Sequence, residues 1–71
     1  MSADVTVHRR GGPNDFQIWP TALHARAAAR GFLGEPLAEL VIVREAGLEL
    51  ARWVRASPTR WSYLEQPAVR R

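Results

Sequence analysis

The chain has no cysteine, and in a polypeptide of 71 residues this leaves few ways to stabilise a fold. A disulfide and a thiolate-bound structural metal are both excluded. A chain of about 60 residues buries only about 60% of the surface that its unfolded form exposes, so one small core is marginally stable. We therefore expect a single small domain over residues 1–71, stabilised by its own core, by a partner or by self-association as a homodimer.

The basic residues are all arginine, which points to an anionic partner. The chain contains ten arginines, no lysine and seven acidic residues, for a net charge of +3. Arginine binds phosphates and carboxylates through a planar fork of donors, so we expect either duplex DNA or an acidic protein as the partner. An arginine bias of the encoding genome is the alternative explanation of this composition.

The chain shows no signal for a membrane or for export. No segment approaches the ~20 apolar residues that a membrane span requires. The N-terminal residues lack the basic start and apolar run of a signal peptide. We expect a cytoplasmic protein that does not contact a membrane.

The first 20 residues contain two stretches in which apolar and polar residues alternate, residues 5–9 and 16–19. This period of two is typical of half-buried strands. The glycine- and proline-containing residues 11–15 favour a turn between them, and Pro20 ends the second stretch. The pattern predicts a loose hairpin, although residues 1–13 as a flexible arm before a single strand is an equal alternative.

Residues 22–30 are strong helix formers, with Thr21 placed as N-cap and Gly31 as C-cap. One side of this helix is formed by Ala22, Ala25, Ala28, Ala29 and Phe32, which predicts close packing against a neighbour.

A second, amphipathic helix is predicted over residues 37–56, and residues 57–71 are predicted to form an extended tail. The run Leu40-Val41-Ile42-Val43 is β-prone, so a hairpin over residues 40–54 is the rival interpretation. The expected fold is α+β, with a strand or hairpin followed by two helices. The alternative is two hairpins around one helix.

Signals for catalysis are absent from the sequence. The serines have no glycine elbow around them, and the histidines, His8 and His24, form no base arrangement or metal cluster. We expect a protein that is not an enzyme and that has no metal site and no cofactor.

Three short motifs carry a resemblance to a known family. Phe16-Gln17-Ile18-Trp19-Pro20, the alanine- and arginine-rich residues 25–31, and residues 37–46 with Glu39-Leu40 and Arg44-Glu45-Ala46 resemble ribbon-helix-helix repressors and the DNA-binding halves of antitoxins. The resemblance covers roughly residues 15–56. It implies a dimer whose paired strands enter the major groove of DNA.

Two sets of candidate binding residues follow. Gln17 can read adenine, Arg26 and Arg30 can contact phosphates, and the first strand presents polar residues on one face. The candidate nucleic-acid-binding residues are Thr6, His8, Arg10, Gln17, Arg26 and Arg30. Arginine interleaved with aromatic residues is typical of protein-binding hot spots. The candidate partner-binding residues are Trp53, Arg60, Trp61 and Tyr63, with packing onto the core as the alternative role.

The sequence thus predicts a DNA-binding transcriptional regulator or antitoxin that acts as a dimer. The alternative is a protein-binding inhibitor module, for example one encoded by a phage, that occludes a host protein.

Overall fold

The structure is a computed structural model that describes residues 2–65. These residues form one five-stranded sheet with the strand order β2-β1-β3-β4-β5, in which every neighbouring pair is antiparallel. The elements in chain order are β1 (Ala3–Arg9), β2 (Asp15–Trp19), α1 (Ala22–Gly31), one 3₁₀ turn (Phe32–Gly34), β3 (Ala38–Glu45), β4 (Leu48–Ser57) and β5 (Arg60–Glu65).

The helix α1 lies where the sequence predicts it, and its N-terminal cap is confirmed. The Thr21 hydroxyl oxygen accepts a hydrogen bond from the backbone N–H of His24 at 3.2 Å. The predicted C-cap is wrong, because Gly31 has a right-handed φ of −64° and the chain continues into the 3₁₀ turn. Glycine at this position is therefore not required by a left-handed backbone.

The core lies between α1 and one face of the sheet. Ala25 and Ala29 are fully buried, which confirms the predicted alanine face. Because alanine is short, the helix lies close over β1 and β3. The fully buried valines of the sheet that pack in the same cluster are Val5, Val7, Val41 and Val43.

The prediction of a second helix is wrong, and with it the α+β fold of a strand or hairpin followed by two helices. Residues 38–57 form the hairpin of β3 and β4, so residues 40–54 lie in a sheet. The β-branched run Val41-Ile42-Val43 suits a strand that is buried on both faces, because consecutive side chains there point to opposite sides. The two-residue connection has positive φ at both positions, 52° at Ala46 and 79° at Gly47, as in a type I′ turn.

The N-terminal residues form a strand inside the sheet. β1 pairs with β2 on one side and with β3 on the other. At its end the Arg9 guanidinium donates to Glu35 Oε1 through Nε at 2.7 Å and to Asp15 Oδ2 through Nη2 at 2.8 Å. The hydrogen bond with Glu35, and then that with Asp15, raises the pKa of Arg9 above its ordinary value. The two ion pairs of Arg9 join the start of β2 to the segment that precedes β3.

The first part of the predicted tail is a strand as well. β5 pairs with β4, and the Trp61 ring nitrogen donates to the Leu33 carbonyl oxygen at 3.0 Å. Residues 66–71 of the predicted tail lie outside the described residues.

Candidate functional site

The sheet has two faces, and α1 covers only one of them. Residues directly opposite each other on paired strands share a face, so the strand register defines the second face. We call this second face the open face, because no element within residues 2–65 packs over it. Its members are Asp4, Thr6 and His8 on β1, Phe16 and Ile18 on β2, Leu40, Ile42 and Arg44 on β3, Glu49, Arg52 and Val54 on β4, and Ser62 and Leu64 on β5.

Large apolar side chains are exposed on the open face. Phe16 is 61% exposed and Ile18 is 69% exposed, both on the edge strand β2. Val54 is 41% exposed on β4, and Leu64 is 54% exposed on the other edge strand. Ile42 lies between them in the centre of the sheet and is buried by its neighbours on the same face. Apolar side chains are thus exposed toward both edges of this sheet face, and an exposed apolar patch is typical of a contact surface for another molecule.

The charged residues of the open face form two pairs of opposite sign. Arg52 donates to both carboxylate oxygens of Glu49, at 2.8 Å through Nε and 2.7 Å through Nη2. These hydrogen bonds raise the pKa of Arg52 above its ordinary value. Arg44 Nη1 lies 3.9 Å from Asp4 Oδ1, so this pair is attracted by charge without forming a hydrogen bond. The formal charges of the four side chains cancel.

Two polar atoms of β1 are buried on the open face without a hydrogen-bond partner. Asp4 Oδ1 and Thr6 Oγ1 have no hydrogen-bond partner among the described residues. A buried polar atom left unpaired costs about 1–3 kcal/mol, and such atoms in a native protein call for an explanation. Both lie beside the apolar side chains of the adjacent β2.

A shallow groove of about 740 Å³ opens at one end of the open face. It shares Leu40, Arg52 and Val54 with that face and extends to Arg10 and Pro58. The Arg10 guanidinium lies 3.8 Å from a carboxylate oxygen of Glu39. The groove is therefore a continuation of the open face and not a separate anion site.

The structure does not bring the six predicted nucleic-acid-binding residues together. Thr6 and His8 lie on the open face, and Arg10 follows the end of β1. Gln17 points to the helix side of β2, where its Oε1 accepts a hydrogen bond from the Trp19 ring nitrogen at 3.1 Å.

The two helix arginines lie on the opposite side of the molecule from the open face. Arg26 donates to the Tyr63 hydroxyl at 3.3 Å and lies 3.6 Å from a carboxylate oxygen of Glu65. Arg30 is exposed near the end of α1.

Three of the four predicted partner-binding residues, Trp53, Trp61 and Tyr63, lie at the helix side of β4 and β5. Trp53 is buried in the core, and its ring centroid is 5.0 Å from that of Tyr63. The Arg55 guanidinium stacks 4.4 Å from the Trp61 ring, while Arg60 is exposed at the start of β5. The aromatic cluster thus packs β5 against the fold.

Of the apolar residues of the open face, the sequence predicts Phe16, Ile18, Leu40 and Val54 as core residues. Phe16, Ile18 and Val54 are apolar residues at strand positions, and a small protein is expected to bury such residues. The signal that could have found the open face is the run of residues 40–43, in which both alternating sets are apolar. Such a strand has two apolar faces, and a single helix can cover only one.

Comparisons with known proteins identify no relative: no family model, no curated protein and no solved structure matches this chain. Within residues 2–65, no three histidine or acidic side chains are placed to hold a metal ion. The helical part of the described structure is too short and too polar to cross a membrane.

Proposed function

We propose that this chain is a protein-binding module and that the open face is its contact surface. The observation that carries the proposal is the set of exposed apolar side chains on that face, Phe16, Ile18, Val54 and Leu64. They lie on either side of Ile42, which its own neighbours on this face already bury. The inhibitor predicted from the sequence would need a surface of this kind to occlude a host protein.

Binding of duplex DNA by a dimeric regulator or antitoxin stays a prediction, and the geometry gives it less support. Affinity for DNA comes mainly from neutralised phosphates, which requires clustered positive charge. The charges of the open face cancel, and the candidate arginines Arg10, Arg26 and Arg30 are spread over two sides of the sheet.

The proposal is tested by panning the immobilised chain, at nanomolar concentration, against a phage-displayed library of random peptides. Enriched peptides are then measured against the wild type, the double variant Phe16→Ser/Ile18→Ser and the control Leu23→Ser. Leu23 is a large apolar residue of α1 that is exposed on the other side of the molecule. We expect the double variant to lose at least about tenfold in affinity, and the control to bind as the wild type does.

Peptides that bind the double variant as tightly as the wild type, or a failure to enrich any peptide, would overturn the proposal. A random-sequence DNA duplex is measured in parallel at low and moderate salt. Binding to the duplex that weakens steeply with salt and is lost in Arg26→Ala/Arg30→Ala would favour the regulator instead.

A further inference from the structure

The charges and the strand register of the open face bear on the identity of its partner. Resting on that proposed function, we infer that the open face binds a second copy of this chain, packed face to face across a two-fold axis. The charge of this face, the positions of its charged residues and its area all favour such a partner.

The charge of the open face permits two copies to approach. The whole chain carries a net charge of +3, which opposes self-association in general. On the open face, however, Asp4 and Glu49 balance Arg44 and Arg52. A face without net charge and with exposed apolar side chains is better suited to bind an equally neutral surface than a nucleic acid or a strongly acidic protein.

The strand register makes the charges of this face self-complementary. Asp4 on β1 lies directly opposite Arg44 on the adjacent β3. A two-fold axis that runs along the strands between β1 and β3, in the plane of the interface, exchanges these two strands. Asp4 of each copy then faces Arg44 of the other, so one contact creates two reciprocal ion pairs, as an isologous interface requires.

The same axis sets the next row of residues of the two copies against each other, so that polar and apolar side chains meet. Thr6 faces Ile42 of the other copy, and the exposed Phe16 ring on β2 faces Arg52 on β4, where a guanidinium can stack on it. Removal of water from this face strengthens the Asp4–Arg44 attraction, because the local dielectric falls. Leu64 on β5 lies outside the overlap of the two copies.

The size of the face sets the strength of the dimer. Four overlapping strands, spaced about 4.8 Å apart and about 20 Å long, present roughly 400 Å² in projection. Standard interfaces bury about 800 Å² per partner, so this contact belongs to the small, reversible class. We expect a weak dimer with a dissociation constant of roughly micromolar to millimolar, and monomers predominant at nanomolar concentration.

The experiment is a charge exchange between two variants, followed by light scattering and sedimentation. Asp4→Arg and Arg44→Asp are prepared separately, and each places like charges against each other in a dimer of itself. We expect the dissociation constant of each to rise at least about tenfold over the wild type. An equimolar mixture of the two restores complementary pairs, and we expect it to dimerise within about threefold of the wild-type constant.

Circular dichroism establishes that each charge variant is folded. Should one fail to fold, Phe16→Ser decides the question beside the matched control Leu23→Ser, because both side chains are exposed and neither supports the core. Phe16→Ser is expected to weaken the dimer, and Leu23→Ser to leave it unchanged.

A wild type that stays monomeric up to about millimolar concentration would overturn the inference. So would a dimer that neither a charge variant nor Phe16→Ser weakens. If the wild type is monomeric but its peptide binding still depends on Phe16 and Ile18, the dimer is refuted and the open face remains the contact surface for another protein. If the wild type is monomeric and binds no peptide on this face, the dimer and the proposed function are both refuted.

Discussion

Two valines on neighbouring strands allow a direct test of which face of β3 and β4 is buried. Val41 is fully buried against α1, whereas Val54 lies on the open face. We expect Val41→Ala to lower the free energy of unfolding by about 2.5 kcal/mol and Val54→Ala by about 1 kcal/mol. An amphipathic helix over residues 37–56 would reverse this order, because it places Val54 on its apolar side and Val41 on its polar side.

The magnitudes follow from the burial of the two side chains. Valine to alanine removes the equivalent of two methylene groups, worth about 0.8 kcal/mol each when fully buried. The cavity left at Val41 adds about 1 kcal/mol, because the surrounding core relaxes only partly. Val54 is 41% exposed, so it loses only part of the transfer energy and water fills the space. The lower strand propensity of alanine affects both variants and largely cancels in the difference.

The assay is urea unfolding followed by tryptophan fluorescence, for which the buried Trp53 is a suitable reporter. Protein concentration is kept well below micromolar so that association through the open face does not contribute. The total free energy of unfolding for a domain of this length is about 4–10 kcal/mol, so both variants are expected to fold. Equal costs at the two positions, or a greater cost at Val54, would refute the assignment of the faces.

Two further predictions concern the turn of the second hairpin and the last strand. Ala46 has φ of 52°, a left-handed conformation that asparagine adopts more readily, so Ala46→Asn should raise the free energy of unfolding by about 0.5–1 kcal/mol in thermal or urea unfolding. Ala46→Val should lower it, and the same sign for both variants would contradict the turn assignment. Truncation after Pro58 removes β5 and the Trp61–Leu33 hydrogen bond, and it leaves Trp53 without Tyr63. We expect the truncated chain to lose its cooperative thermal transition, and a retained wild-type transition would show that β5 is dispensable.

The candidate site is harder to predict from the sequence than the helix α1. Thr6 and His8 were correctly placed on one face of the first strand, yet that face belongs to the apolar surface. Arg9, which was assigned no role, holds the β1–β2 connection to Glu35. The surroundings of β1 depend on which strands pair with it. That pairing is decided by residues far apart in the sequence, so local patterns do not predict it.

The sequence by itself determined the elements whose signals are local. The alternation in residues 5–9 and 16–19, the Thr21 cap and the alanine face of α1 all correspond to elements of the structure. Helix capping and alternation act over a few residues, so their energies can be judged without knowledge of the fold.

Only the tertiary structure decided the state of residues 38–57 and the identity of the open face. In that segment alanine and glutamate favour a helix while the valines and isoleucine favour a strand, and the two tendencies nearly balance. Pairing of β3 with β1, more than 30 residues away in the chain, resolves the balance because it satisfies a full set of backbone hydrogen bonds. Once α1 covers one face of that sheet, Phe16, Ile18, Val54 and Leu64 are left on the other.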